Sequence, residues 1–232
     1  MSETNFSLNS TALKILGVVF MTIDHIGYFL FPQITILRII GRLAYPIFAY
    51  MIAEGCHYTR NKVRYFFTMF CIAFVCSAVS YFADRSMYQS IFTTFSCSII
   101  LIFTLEKAIK NNESAKKFLW FCLAAGITMG YLVLFGFNII PNFETDYGFI
   151  GIITPVLIWL GHSKAEKLLL LTVGLCPISG DLGGIQICSF AALIFLLLYN
   201  GKRGKHSFKW FFYGYYPLHI AALYGIAMFV FK

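Results

Sequence analysis

Nine apolar runs, each parted from the next by a short polar stretch, fill most of this 232-residue chain. A helix needs about 20 predominantly apolar residues to cross roughly 30 Å of hydrocarbon. Nine such helices use most of the chain and leave only short connections. The pattern therefore predicts an all-α, polytopic membrane helix bundle of about nine transmembrane helices, a single domain over residues 1–232 with no soluble module. Composition agrees, at 59% hydrophobic and 12% charged. A soluble domain carries roughly a quarter charged residues because its surface must face water. Half that fraction cannot cover a globule of this size, and lipid must cover the rest.

Boundaries follow from caps, prolines and charge clusters. Ser10 or Thr11 is predicted to cap the first helix, from about Ala12 to Phe31 before Pro32. The second covers about Ile36 to His57 and meets the basic cluster Thr59–Arg64. The third covers about Tyr65 to Ala83, and the fourth about Tyr88 to Leu105. After the lysine-rich stretch Glu106–Lys117, the fifth covers about Phe118 to Phe137. An acidic loop, Asn138–Tyr147, leads to a short sixth helix from about Gly148 to Leu160. The seventh, about Leu168 to Ile178, is shorter still and ends at Gly180-Asp181-Leu182-Gly183-Gly184. The eighth covers about Ile185 to Tyr199, and the ninth about Trp210 to Phe231.

Charge sorts the loops into two sets. Those after the second, fourth, sixth and eighth helices hold thirteen Lys or Arg: 60, 62, 64, 107, 110, 116, 117, 164, 167, 202, 203, 205 and 209. Those after the third, fifth and seventh hold Arg85 alone, beside Asp84, Glu144, Asp146 and Asp181. The positive-inside rule then places the N-terminus in the cytoplasm and the C-terminus outside. The net charge of +8 belongs to those loops beside anionic lipid and predicts no nucleic-acid partner. The seven cysteines sit mostly within apolar runs, form no CxxC pair and read as small buried hydrophobes, so no metal is predicted. The first residues, MSETNFSLNS, lack a basic n-region, so no cleavable signal peptide is expected.

Ionisable side chains at membrane depth are costly and need a reason. Here they are Lys14, Asp24, His25, Arg38, Arg42, Glu54, His57 and His219. Lys14 and His25 stand eleven residues apart, which is three turns on nearly one face and about 16 Å along the axis. With Lys14 at the cytoplasmic rim, His25 lies near mid-membrane. His219, ten residues beyond Lys209, falls at a similar depth. Two imidazoles and Asp24 thus share a level, which predicts a buried proton-transfer centre; the plainer alternative is that the histidines only join helices by hydrogen bonds. Neighbouring residues point about 100° apart, so Asp24 is expected to pair with a cation on another helix, such as Arg42, rather than with His25. Arg38 and Arg42 are one turn apart and suited to a phosphate or carboxylate, although Arg38 also reads as an arginine snorkelling to the outer interface. Glu54 and His57 read as a structural knot with Arg60, and Tyr215 and Tyr216 as lipid-facing or packing groups.

Three blocks carry a resemblance: Met21-Thr22-Ile23-Asp24-His25-Ile26-Gly27; Leu37-Arg38-Ile39-Ile40-Gly41-Arg42-Leu43-Ala44-Tyr45-Pro46; and Tyr199-Asn200-Gly201-Lys202-Arg203-Gly204 with Phe212-Tyr213-Gly214-Tyr215-Tyr216-Pro217-Leu218-His219. With Ala53-Glu54-Gly55 and Asp146-Tyr147-Gly148 between them, the chain resembles the TraX family. That resemblance implies a multi-pass protein of the bacterial cytoplasmic membrane, associated with conjugation and with N-terminal acetylation of pilin. It also implies kinship with acyltransferase-3 enzymes, whose first helix carries a basic residue, ten intervening residues and a histidine; Lys14 and His25 match. By that likeness the catalytic group is His25, and Lys14 helps to place the acyl donor. The buried set is then expected to supply His219 or Asp24 to tune His25, Arg42 to contact donor or acceptor, and Arg38 to help bind the donor. Acetyl-CoA is the implied donor, with no metal, and the acceptor is a pilin-like peptide amine or a glycan hydroxyl. Two rivals stay open: a non-catalytic membrane chaperone for pilin-like subunits, and a small-molecule transporter or flippase.

Overall fold

A computed structural model describes residues 7–85, 87–136, 139, 143–180, 182–205 and 208–230. The expected helix end at Phe137, Pro141 of the acidic loop, Asp181 and the expected end at Phe231 lie outside the described residues. Among the described residues the structure is helical, with no strand beyond two isolated bridges, Leu8–Tyr199 and Gln89–Thr145. Its α-helices are α1 (Ser10–Phe29), α2 (Thr35–Gly41), α3 (Ala44–Tyr58), α4 (Lys62–Asp84), α5 (Ile91–Lys110), α6 (Ser114–Tyr131), α7 (Gly148–Leu160), α8 (Lys164–Ser179), α9 (Ala192–Leu197) and α10 (Lys209–Val230). A π-helical turn, Leu132–Gly136, extends α6, and a 3-10 helix, Leu182–Ala191, leads into α9.

The apolar runs are helical, and among the described residues five stretches are long and apolar enough to cross a membrane: Ser10–Phe29, Thr35–Tyr58, Lys62–Phe82, Ile91–Lys110 and Ser114–Gly136. Gly148–Leu160, Gly184–Leu197 and Gly214–Val230 are shorter apolar helices. Large apolar side chains face outward, Phe74 at 69% and Phe82 at 79% exposure among them. Water would not tolerate that surface; hydrocarbon does. The protein is a helical membrane protein.

Three local predictions are corrected. The cap of α1 is Asn9, whose side chain accepts from the Ala12 N–H, not Ser10 or Thr11. The second apolar run breaks at Arg42-Leu43 between α2 and α3, where Pro46, in the first turn of α3, has no N–H for the carbonyl of residue 42 and its ring crowds that oxygen. The eighth run begins as a 3-10 helix rather than an α-helix.

The helices gather into two compact units. Residues 52–170 form one of them. There α5 packs against α4, α6 and α7, and its buried Ser98 hydroxyl donates to the Ile152 carbonyl at 2.7 Å. The acidic loop is tied to the start of α5, with Gln89 N–H donating to Glu144 O at 2.7 Å and Asp146 N–H to Gln89 O at 3.1 Å. Glu54 pairs with Lys167 at 2.5 Å instead of the expected Arg60. The His57 ring nitrogen donates to the Trp159 carbonyl at 3.1 Å, and its ring stacks on the Trp159 indole. The knot expected at this end therefore exists, with other partners.

Residues 1–51 and 171–232 form the other unit, in which α1 packs against α2 and α10 and the 3-10 helix packs against α2. The segment Tyr199–Gly204 closes over the start of α1. Leu8 N–H donates to Leu198 O, Asn200 N–H to Leu8 O and Ser10 N–H to Lys202 O, at 2.8, 2.9 and 2.9 Å. Gly204 lies so close to the Thr11 side chain that a Cβ would overlap it. Two blocks far apart in sequence thus build one helix start.

Candidate functional site

Consecutive residues on a helix point about 100° apart, so the dipeptide Asp24-His25 serves two neighbours of α1 at once. Asp24 faces α2. Its Oδ2 accepts from Arg38 Nη1 and its Oδ1 from Arg42 Nη2, each at 2.6 Å. Arg38 also donates to the Asp24 backbone carbonyl at 3.2 Å, and its guanidinium lies over the Tyr28 ring. Two glycines permit the approach. A Cβ at Gly41 would overlap the Asp24 carboxylate, and one at Gly27 would sit 2.8 Å from the Leu37 Cβ. The break after α2 sets Arg42 at the helix end, where it is 7% exposed. The expected Asp24–Arg42 pair is present. Arg38, weighed as an arginine reaching for the outer interface, pairs with the same carboxylate.

His25 faces α10. Its Nδ1 lies 2.7 Å from Nε2 of His219, and His219 Nδ1 lies 2.9 Å from the Tyr215 carbonyl oxygen. A carbonyl only accepts, so His219 Nδ1 carries a proton. In the neutral pair His219 Nε2 is then the acceptor and His25 Nδ1 the donor. The lone pair of His25 is thereby assigned to Nε2. Two hydrogen bonds select one tautomer of each ring, which is how a base is aimed.

Three further residues complete this contact. Thr22 and Tyr215 join their hydroxyls at 2.9 Å, one turn from the imidazoles on each helix. The Tyr215 ring stacks on His219 with centroids 4.9 Å apart, and Tyr216, 6% exposed, meets both imidazoles edge-on. The reading of Tyr215 and Tyr216 as lipid-facing or packing groups is thus corrected for Tyr215, whose hydroxyl and carbonyl both serve the contact. The signal was available in the spacing, Thr22 to His25 and Tyr215 to His219, three and four residues apart on helices that share a polar face.

Lys14 is half-buried at the start of the second turn of α1 and stands three turns from His25, not in its immediate surroundings. Between them, α1 and α10 line a groove of about 340 Å³ bounded by Ile15, Val18, Val19, Thr22, Ile23, Phe211 and Tyr215. The arrangement offers chemistry of two kinds: a base whose lone pair is fixed in direction, and a fixed pair of guanidinium charges one helix face away. Among the described residues no group of His, Cys, Asp and Glu has the geometry of a metal site.

Comparison with known proteins adds three findings. The family model described as TraX protein matches residues 9–227. An uncharacterized protein of Rickettsia prowazekii (strain Madrid E) is 60% identical over 63 residues, 27% of this chain and 24% of that relative. The probable fimbrial assembly protein FimC, serogroup H1, of Dichelobacter nodosus is 23% identical over 97% of this chain and 98% of its own length. The first of these relatives is therefore matched over about a quarter of its length, the second end to end. No solved structure matches the chain.

Proposed function

Because the chain belongs to the TraX protein family, we propose that it is an integral membrane acyltransferase that moves an acetyl group from cytoplasmic acetyl-CoA to an acceptor amine or hydroxyl. The observation that carries this reading is the His25–His219–Tyr215 relay, which leaves a lone pair on His25 Nε2. The acceptor's N–H or O–H gives its proton to that nitrogen while its own lone pair attacks the thioester carbonyl. The carbon–sulfur bond breaks, and the proton passes from His25 to the leaving sulfur. The products are the acetylated acceptor and CoA with a free thiol, and the imidazole is restored.

The remaining residues support the step. His219 holds the His25 tautomer and shares the charge that develops on it, the role of the orienting group in base-assisted transfer. Asp24, with both oxygens occupied by guanidiniums, fixes α2 against α1 and keeps Arg42 and Arg38 in place for the charged parts of donor or acceptor. Lys14 attracts the donor's phosphates at the inner rim, and the groove between Lys14 and His25 suits the donor's narrow arm. The likeness to a fimbrial assembly protein favours a pilin-like peptide amine as acceptor over a glycan hydroxyl. It also supports a second reading, a non-catalytic assembly factor for such subunits.

One assay separates the readings. The purified protein, in liposomes with acetyl-CoA and a pilin-like peptide, is expected to release CoA thiol in step with peptide acetylation. His25→Ala is expected to lower that rate by at least about a hundredfold, the usual worth of a positioned base, while inserting and melting like the wild type. Full activity in the variant removes His25 from the mechanism; no thiol release from the wild type with any acceptor leaves the assembly reading.

A further inference from the structure

The 3-10 helix Leu182–Ala191 is inside out. Among its described side chains the buried ones are Gln186 and Ser189, three residues apart, and Ala192 continues the line at the start of α9, while Ile187, and Ile194 within α9, stand 62% and 61% exposed. Three residues per turn stack such positions in one line about 6 Å apart. The line holds an amide and a hydroxyl, and the apolar side chains point outward as they do toward lipid. Gln186 and Ser189 are each 1% exposed. Among the described residues, four buried side-chain polar atoms lack a hydrogen-bond partner, and three of them are Gln186 Oε1, Gln186 Nε2 and Ser189 Oγ.

Buried polar atoms are ordinarily paired, and an unpaired one costs stability. Clustering them on one line of a segment packed against α2, the helix that carries Arg38 and bears Arg42 at its end, concentrates that cost beside the site. A ligand that completes the bonds would offset that cost.

We propose that Gln186 and Ser189 form a binding subsite for a secondary amide of the ligand. A carboxamide presents one acceptor and two donors, and an amide unit presents the complementary N–H and C=O. The Ser189 hydroxyl, one turn away, both donates and accepts, and so reaches a second polar atom of the same ligand. Under the acyltransferase reading, on which this subsite builds, two substrates carry secondary amides: the pantetheine arm of the donor and the backbone of a peptide acceptor. The shared chemistry is the amide, and the test tells the two sources apart.

The full chain in detergent is melted with acetyl-CoA, with pantetheine alone and with N-acetyl-alanine methylamide, for wild type, Gln186→Leu, Gln186→Met and Ser189→Ala. The wild type is expected to be stabilised by pantetheine and acetyl-CoA if the donor occupies the subsite, or by the blocked alanine amide if the acceptor does. Without ligand, the Leu and Met variants are expected to melt at or above the wild type, since an unpaired polar group is gone. With ligand they are expected to bind about tenfold more weakly, the usual effect of one lost hydrogen bond to a neutral group, and Ser189→Ala to show a smaller loss. Three results overturn the subsite: no amide probe stabilises the wild type; the variants bind every probe as tightly as the wild type; or both variants melt below the wild type without ligand, which assigns the carboxamide a partner within the fold. Thiol release is read separately. Amide binding without turnover leaves the subsite standing and sinks the acyltransferase reading, whereas turnover with unchanged binding in the variants sinks the subsite alone.

Discussion

The paired hydrogen bonds of His219 ask more of that residue than a second imidazole ring. Position 219 must offer an acceptor to His25 Nδ1. His219→Gln supplies a carbonyl oxygen and is expected to retain at least tenfold more transfer activity than His219→Leu, a gap of about 1.4 kcal/mol in barrier height. Equal rates for the two variants, measured as CoA release, would show that the ring at 219 only packs. Asp24→Asn tests the other half of the dipeptide. Removing one partner of a buried ion pair leaves charge uncompensated and costs about 3 kcal/mol. Because Arg42 is far more enclosed than Arg38, with side-chain exposures of 9% and 27%, most of that loss is expected to disappear in the Arg42→Met background. A denaturant melt of the two single variants and the double variant measures this coupling.

At the scale of elements, the sharpest expectation falls on α1 against α2. Gly41→Ala drives a methyl into the Asp24 carboxylate and is expected to cost about 2 kcal/mol, in the range of an overpacked core. Gly126→Ala on α6, where a Cβ meets nothing within 4 Å, is expected to be neutral or stabilising, since alanine is the better helix former. Melting curves of the pair give the comparison directly. The same contact marks where sequence reasoning stops. Periodicity and hydropathy placed the apolar runs, and the helix angle between Asp24 and His25 predicted that Asp24 would pair with a cation on another helix rather than with its neighbour. Nothing in those rules says that Glu54 finds Lys167 instead of Arg60, because a partner on a distant helix is set by packing and leaves no local trace. The 3-10 segment was hidden for a related reason. Residues 186 and 189 are three apart, a spacing that also falls on one face of an α-helix, and Gln186 and Ser189 look unremarkable until their burial is known.

At the scale of the whole molecule, the testable statement is orientation. The charge asymmetry between alternate loops predicts residues 60–64 and 202–205 in the cytoplasm and Arg85 outside. A reporter active only in the cytoplasm is expected to work when fused after residue 205 and to fail after residue 85, with the opposite outcome for a periplasmic reporter. An inverted pattern would move Lys14 to the outer face and end its proposed role toward a cytoplasmic donor. Within the unit built from both chain ends, the Asp24-His25 dipeptide has a mechanical consequence. A carboxylate keyed into one neighbour and an imidazole keyed into another, on successive residues, make α1 a common shaft. Any axial turn that loosens the arginines also drags the histidine from its mate, so a change at the cations reaches the His25 imidazole with no intervening chain of contacts.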